Sequence, residues 1–256
     1  MFDIEIKRAA SPFARLFLAH GAGAGKEHEF MQAMSLHLTN LGIDVVLFNF
    51  AYMQTIKATG KRRPPDKADK LLQHFTDVIC DVNAKEPLLP SFIGGKSMGG
   101  RMATMLLSEA TASQQHQSNE PSVEQCEYLA GIYGAIALGY PFHPPGKPEK
   151  TRTAHLETLT KPLLVMQGER DTFGTQADIS TYSLSSSIKV KYLPDGEHSF
   201  KPRKASGYTQ ESHIQTAAEA TAEFIKAVMN ERKSVIEETG LDEKSHAQNS
   251  SAERLL

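Results

Sequence analysis

A serine flanked by glycines is the feature of this sequence with the clearest chemical potential: Gly95-Lys96-Ser97-Met98-Gly99 follows the apolar run SFIGG and precedes a helical pattern. Such spacing fits a nucleophile elbow, in which the chain turns sharply from strand to helix and holds the serine in a strained backbone conformation. The residues two before and two after must then be small. Gly95 and Gly99 meet that demand, and Gly100 adds room. At the start of the helix, the partial positive charge and the free N–H of Met98 suit an anionic oxygen. An ordinary glycine-rich turn is the plain alternative, because G-x-S-x-G recurs by chance. Its placement between a buried strand and a helix favours the elbow.

A second cluster, His20-Gly21-Ala22-Gly23, closes the first long apolar run. Small residues there let a backbone N–H approach a substrate oxygen, so Ala22, with Gly23 next, is the expected second oxyanion donor beside Met98. His20 reads as a structural residue that fixes the loop by hydrogen bonding.

Chain order supplies the third signal, since an elbow serine is followed first by an acid and then by a histidine. Asp171 lies three residues past the run PLLVMQG, and His198 follows the run IKVKYL. The expected catalytic set is Ser97, His198 and Asp171, each at the carboxyl end of a strand, where open parallel sheets bind ligands. Glu169 is an alternative acid. Asp195 and Glu197 are too close to His198 to reach it from another loop. His143, His155 and His213 read as surface residues. Lys26, Lys96 and Arg101 lie near the motifs; solvated surface charge is their plain reading, and a preference for anionic substrates the sharper one.

Two nucleotide-binding readings fail on single letters. A phosphate loop ending at Gly95-Lys96-Ser97 needs glycine at position 90, where Pro90 stands, and a G-x-G-x-x-G pattern from Gly21 meets Lys26.

The elements that must position these residues are legible as alternating patterns. Apolar runs at 15–19, 43–48, 90–95, 129–138, 162–168 and 188–193 suit parallel strands covered on both faces. Helical spacing links Phe30, Met34, Leu38 and Leu41, and again Leu71, Leu72, Phe75, Val78, Ile79 and Val82 within 66–83. A third helix is expected from the SMGG turn with Met102, Met105 and Leu106, and others near 174–186 and 211–232. This alternation predicts an α/β fold with a doubly wound, mostly parallel sheet. Segments 54–66, 111–125 and 141–153 read as surface excursions, too short for a large cap domain. One domain is expected over 1–232, followed by a polar tail, 233–256, frayed or disordered.

Composition narrows the partners. With 28 basic and 30 acidic residues and a net charge of -2, nothing favours nucleic acid or an anionic membrane. No run approaches the roughly 20 apolar residues of a membrane span, and the start lacks a basic region before an apolar one, so a cytoplasmic protein is expected. Cys80 and Cys126 lack metal-site spacing, no metal or cofactor is expected, and Cys80 reads as a buried small apolar residue.

Taken together, HGAGAG, FNFAYM, GGKSMGGR, GYPFHPPGKPEK, QGERDTFG and DGEHSFK resemble the α/β-hydrolase superfamily over roughly residues 13 to 230. More narrowly they are similar to the small hydrolase-like group that includes testis-expressed protein 30 and a domain of a nuclear acetyltransferase complex subunit. The resemblance implies the hydrolase fold, and it carries the triad onto Ser97, Asp171 and His198 with oxyanion donors at Ala22 and Met98. It also implies cofactor-free cleavage of an ester, thioester or amide. The expected function is hydrolysis of a small to medium ester or thioester through an acyl-enzyme. An inactive interaction module and a small peptidase are the rivals, and the sequence names neither the substrate nor the oligomeric state.

Overall fold

Each of the six apolar runs forms a strand in the computed structural model, which describes residues 2–115, 129 and 131–239. These are β2 (Ala14–Ala19), β3 (Ile43–Asn49), β4 (Ser91–Lys96), β5 (Ile132–Leu138), β6 (Leu163–Gly168) and β7 (Ile188–Leu193). All six are mutually parallel. A strand that the apolar runs do not announce, β1 (Asp3–Lys7), pairs antiparallel with β3. Its sequence DIEIK alternates and lies at the sheet edge, so only one face needs apolar residues. The strand order is β1-β3-β2-β4-β5-β6-β7.

Successive residues of a strand face opposite sides of the sheet, and two cores follow from that alternation. Phe17, Val46, Phe48, Ile93 and Val165 pack on one side with α3 (Ala68–Lys85) and α4 (Met98–Gln115). Leu16, Leu18, Val45, Leu47 and Leu164 pack on the other with α1 (Glu29–Asn40) and α7 (Gln210–Thr239). The expected stripe of α3 is buried in full, from Leu71 to Val82. Burying each such side chain is worth about 1.5–3 kcal/mol, so the apolar faces hold the helices in place.

Several local expectations need correction. Residues 54–66 are not wholly an excursion: α2 (Ala51–Thr59) occupies the first half because Tyr52 and Met53 bury one face, and Gly60 at φ +68° then ends it. The helix expected near 174–186 shrinks to α6 (Gln176–Ile179), capped by Thr175 and Asp178. Beyond it the serines and threonines of STYSLSSS compete for backbone groups. A further short helix, α5 (Ala154–Glu157), follows the loop 139–153. Helix α4 covers the start of the segment 111–125, whose residues from 116 lie outside the described ones. The boundary expected at 232 falls inside α7, which runs on to Thr239; the remainder of the expected tail is not among the described residues. Cys80 is half-buried and disulfide-bonded, not a buried free thiol.

Among the described residues no cap domain interrupts the sheet and no helix is long and apolar enough to cross a membrane. The carboxyl ends of β2, β4, β6 and β7 therefore open onto one edge, which carries every motif singled out above.

Candidate active site

The turn from β4 into α4 is as tight as its sequence requires. A Cβ on Gly95 would stand 2.4 Å from the Gly99 carbonyl carbon and 2.6 Å from the Ala19 oxygen. One on Gly99 would come within 2.4 Å of the same Ala19 oxygen. Ser97 sits between them at φ 51°, in the left-handed region that costs a non-glycine residue roughly 1–2 kcal/mol. Two backbone bonds hold it there: Ser97 N–H donates to Leu138 O at 2.9 Å, and Arg101 N–H donates to Ser97 O at 3.0 Å.

The loops after β6 and β7 meet at this serine. Ser97 Oγ is 2.8 Å from His198 Nε2, and His198 Nδ1 is 2.8 Å from Asp171 Oδ2. Asp171 is fully buried, whereas the His198 side chain keeps 20% of its surface exposed. A buried carboxylate needs donors. Gln167 Nε2 donates to Oδ2 at 2.9 Å and Phe173 N–H to Oδ1 at 2.9 Å. The Phe173 ring lies against the imidazole, with centroids 4.2 Å apart. The carboxylate thus fixes Nδ1 as the proton-bearing nitrogen and leaves Nε2 to accept from the serine hydroxyl.

Behind the histidine the chain is pinned to α7. His213 Nδ1 is 2.8 Å from Phe200 O, and Gln210 Nε2 donates to Ser199 O. Glu197 accepts from the N–H groups of Ser199 and Lys201, which closes the loop on itself. Phe200 takes φ 68°, a strained value for a bulky residue. Lys96, partly exposed as a residue, donates from Nζ to the His198 carbonyl at 2.6 Å, and desolvation of the ammonium pulls its pKa down to about 8.

The loop after β2 is fixed by His20, which is fully buried. Phe50 N–H donates to its Nε2 at 3.1 Å, so Nδ1 carries the proton and donates to Gly21 O at 2.7 Å. Burial lowers the His20 pKa to about 4. Tyr52 Oη adds a bond to Ala22 O at 3.1 Å. A Cβ on Gly21 would lie 3.8 Å from Ser97 Cβ, so this loop borders the serine. Among the described residues the N–H groups of Ala22, Gly23 and Met98 donate to no backbone acceptor.

The remaining expectations divide. Glu169 is turned away, accepting from Asp195 N–H at 2.8 Å, and is not beside His198. Asp195 pairs with Arg170 and Arg203. His143, His155 and His213 are not surface residues: His143 and His213 are buried, and half-buried His155 meets Thr104 Oγ1 at 2.9 Å. Lys26 is not a solvated charge either. It lies 3.1 Å from Asp3 and 3.3 Å from Glu27. Burial opposes ionisation of Asp3, but hydrogen bonds from Lys57, Asn49 and Lys26 outweigh it and hold the carboxyl well below its usual range. Among the described residues no three metal-ligating side chains converge. Sequence reasoning missed Gln167 and Phe173, although both stand inside the quoted motif QGERDTFG; their spacing gives no signal until the loop folds back on Asp171.

The profile of the family described as alpha/beta hydrolase domain matches residues 12–226. No curated protein matches the chain in sequence. Among solved structures, Est1E from Butyrivibrio proteoclasticus, with ferulic acid bound, is similar at 15% identity and TM-score 0.58, covering 88% of this chain and 96% of its own. Dienelactone hydrolase from Anabaena variabilis is similar at 15% identity and TM-score 0.59, over 88% of this chain and 90% of its own. XC6422 from Xanthomonas campestris, described as a serine hydrolase without lid, is similar at 16% identity and TM-score 0.57, over 90% of this chain and 88% of its own. At these identities the likeness is one of fold.

Proposed function

The chain belongs to the alpha/beta hydrolase domain family, and from that premise we propose that it is a serine hydrolase cleaving an ester or thioester of small to medium acyl size. The observation that carries this reading is the unbroken line of two 2.8 Å contacts from Asp171 through His198 to Ser97. His198 Nε2 takes the hydroxyl proton as Ser97 Oγ attacks the acyl carbonyl, and the alcohol or thiol leaves with that proton. Water then enters by the same route in reverse, and the acyl-enzyme is cleaved to a carboxylic acid. Asp171 keeps the tautomer and stabilises the imidazolium without taking the proton.

The tetrahedral oxyanion is held by the N–H groups of Met98 and Ala22, with Gly23 the alternative to Ala22. Each such donor is worth about 3–4 kcal/mol of transition-state stabilisation. The chemistry requires no cofactor, and among the described residues the loop 139–153 is too short to form a lid over the site. A small, soluble substrate suits such a site better than a long lipid chain. The narrower likeness to the testis-expressed protein 30 group agrees with this reading but names no substrate.

The test is reaction with a serine-directed fluorophosphonate and turnover of activated esters graded in acyl length. Wild-type protein should label at Ser97 and turn over short acyl esters fastest, and Ser97→Ala should do neither while melting within about 1 kcal/mol of wild type. Failure of the wild type to label or turn over any ester or thioester favours the non-catalytic interaction module. Equal turnover by Ser97→Ala refutes the assignment of the nucleophile.

A further inference from the structure

Lys96 immediately precedes the nucleophile, yet its side chain, in a residue that is partly exposed, folds back against the aromatic rings of Phe30 and Phe200. Its ammonium lies 5.6 Å from the centre of the Phe30 ring and 5.7 Å from that of Phe200, and a Cβ on Gly139 would stand 2.8 Å from it. In that slot it donates, among the described residues, one hydrogen bond, to the carbonyl of His198 itself, at 2.6 Å. Asp171 and Glu197 act on it only as more distant charges.

We propose that Lys96 is a positioning residue: a strut between the elbow and the histidine loop that sets the distance from Ser97 Oγ to His198 Nε2. The proposal rests on the triad reading above. Its physical basis is the cost of the arrangement. A desolvated ammonium is expensive to keep, and an apolar side chain of equal length would fill a slot between two aromatic rings with no such penalty. The cation is placed instead where it joins two loops about a hundred residues apart in sequence, at the two residues whose separation decides proton transfer. Other bonds to the histidine loop tie it elsewhere: Gln210 and His213 hold it to α7, and Arg170 N–H holds Gly196 O. The Asp171 carboxylate holds the imidazole itself, and of these bonds the one from Lys96 joins the loop to the strand that leads into Ser97. A shift of about 1 Å in such a contact can cost on the order of 100-fold in rate.

The test compares wild type with Lys96→Met, an unbranched chain one bond shorter than lysine that fills most of the aromatic slot but cannot donate. Active sites are counted by fluorophosphonate titration, so that kcat refers to folded, competent protein. The expected result is a roughly 100-fold fall in kcat, with KM within about twofold and a Tm equal to or above that of wild type. A lysine needed only for packing would instead lower Tm and leave kcat per titrated site unchanged, and that outcome overturns the proposal. A raised KM with wild-type kcat also overturns it, since it would mark contact with substrate. Lys96→Gln, whose donor ends one bond short, is read by the same criteria if the thioether variant does not fold. A wild type that neither labels nor turns over refutes the triad reading, and the strut with it; a wild type that labels beside an unimpaired Lys96→Met refutes the strut alone.

Discussion

His20 and His198 stand at the same carboxyl edge of the sheet, each in the turn after a strand, and the protein uses them in opposite ways. His20 has no exposed surface and spends both ring nitrogens on backbone groups, Phe50 N–H and Gly21 O. His198 is partly open to solvent and spends its nitrogens on a carboxylate and a hydroxyl. A ring bonded to two peptide groups can gain no proton without breaking a bond. A ring between an acid and an alcohol gains one while keeping both. The lesson is that the partners, and not the residue type, separate an imidazole able to pass a proton from one that fixes a loop.

The widest separation between the two should appear on deletion. His198→Ala should lower kcat by roughly 10⁶-fold, the scale seen when a triad base is removed, with little change in Tm. If His20→Ala costs as much kcat per folded molecule, the comparison fails. Asp171→Asn comes next, with a fall of roughly 10⁴-fold in kcat, because an amide donates to Nδ1 and selects the wrong tautomer. Steady-state rates on an activated ester measure both.

Acid titration sharpens the contrast from the structural side. In the fold His20 stays neutral down to about pH 4, whereas an unfolded histidine is protonated near pH 6.5. The unfolded chain therefore binds more protons between these values, so stability is full above about pH 6.5 and falls as pH drops toward 4. The loss from His20 should be about 3 kcal/mol, read from denaturant midpoints. His155, drawn to about 4 chiefly by burial, acts with the same sign, so His20→Phe should reduce the acid loss and not abolish it. At neutral pH that substitution keeps the ring packing against Phe50 and Tyr52 but strips Phe50 N–H of its acceptor, costing about 1–3 kcal/mol. An unchanged midpoint would deny His20 its role in fixing the loop.

The smallest effect is expected at Lys26, the charge beside the His20 loop. Its acidic partners are 30–48% exposed, so Lys26→Met should cost about 1 kcal/mol or less. Its charge is already answered by those acids, so the ratio of kcat/KM for anionic and neutral esters should not move. A change in that ratio would reopen the view that Lys26 meets substrate.

Read from the sequence, the fold was clearest where burial is two-sided. The runs of β2 to β6 are apolar over most of their length, with a few buried polar residues such as Arg15 and Asp44, because helices cover both faces, and that near-continuity is visible in one dimension. Edge strand β1 was missed because its alternation over five residues carries little signal. The small residues at Gly95 and Gly99 were legible because backbone atoms 2.4 Å from a would-be Cβ exclude every other side chain. The order of Ser97, Asp171 and His198 was legible because each follows a strand and the parallel sheet gathers such positions at one edge.

What the order could not supply was partnership. Glu169 and Asp171 both follow β6, and only the folded loop turns one toward His198 and the other toward Asp195. Three histidines expected at the surface are inside or half inside it, since a histidine gives no periodicity that reveals which way its ring points. Lys96 reads as a charge beside Ser97, and its place against Phe30, Phe200 and the His198 carbonyl emerges only when these arrive from elsewhere in the chain. Sequence determined which backbone positions had to be small, which runs had to be buried and where along the chain the reactive groups stand, because those are constraints of single residues and their near neighbours. The tertiary structure decided which groups touch, because a hydrogen bond between residues a hundred positions apart exists only once the sheet has brought their loops together.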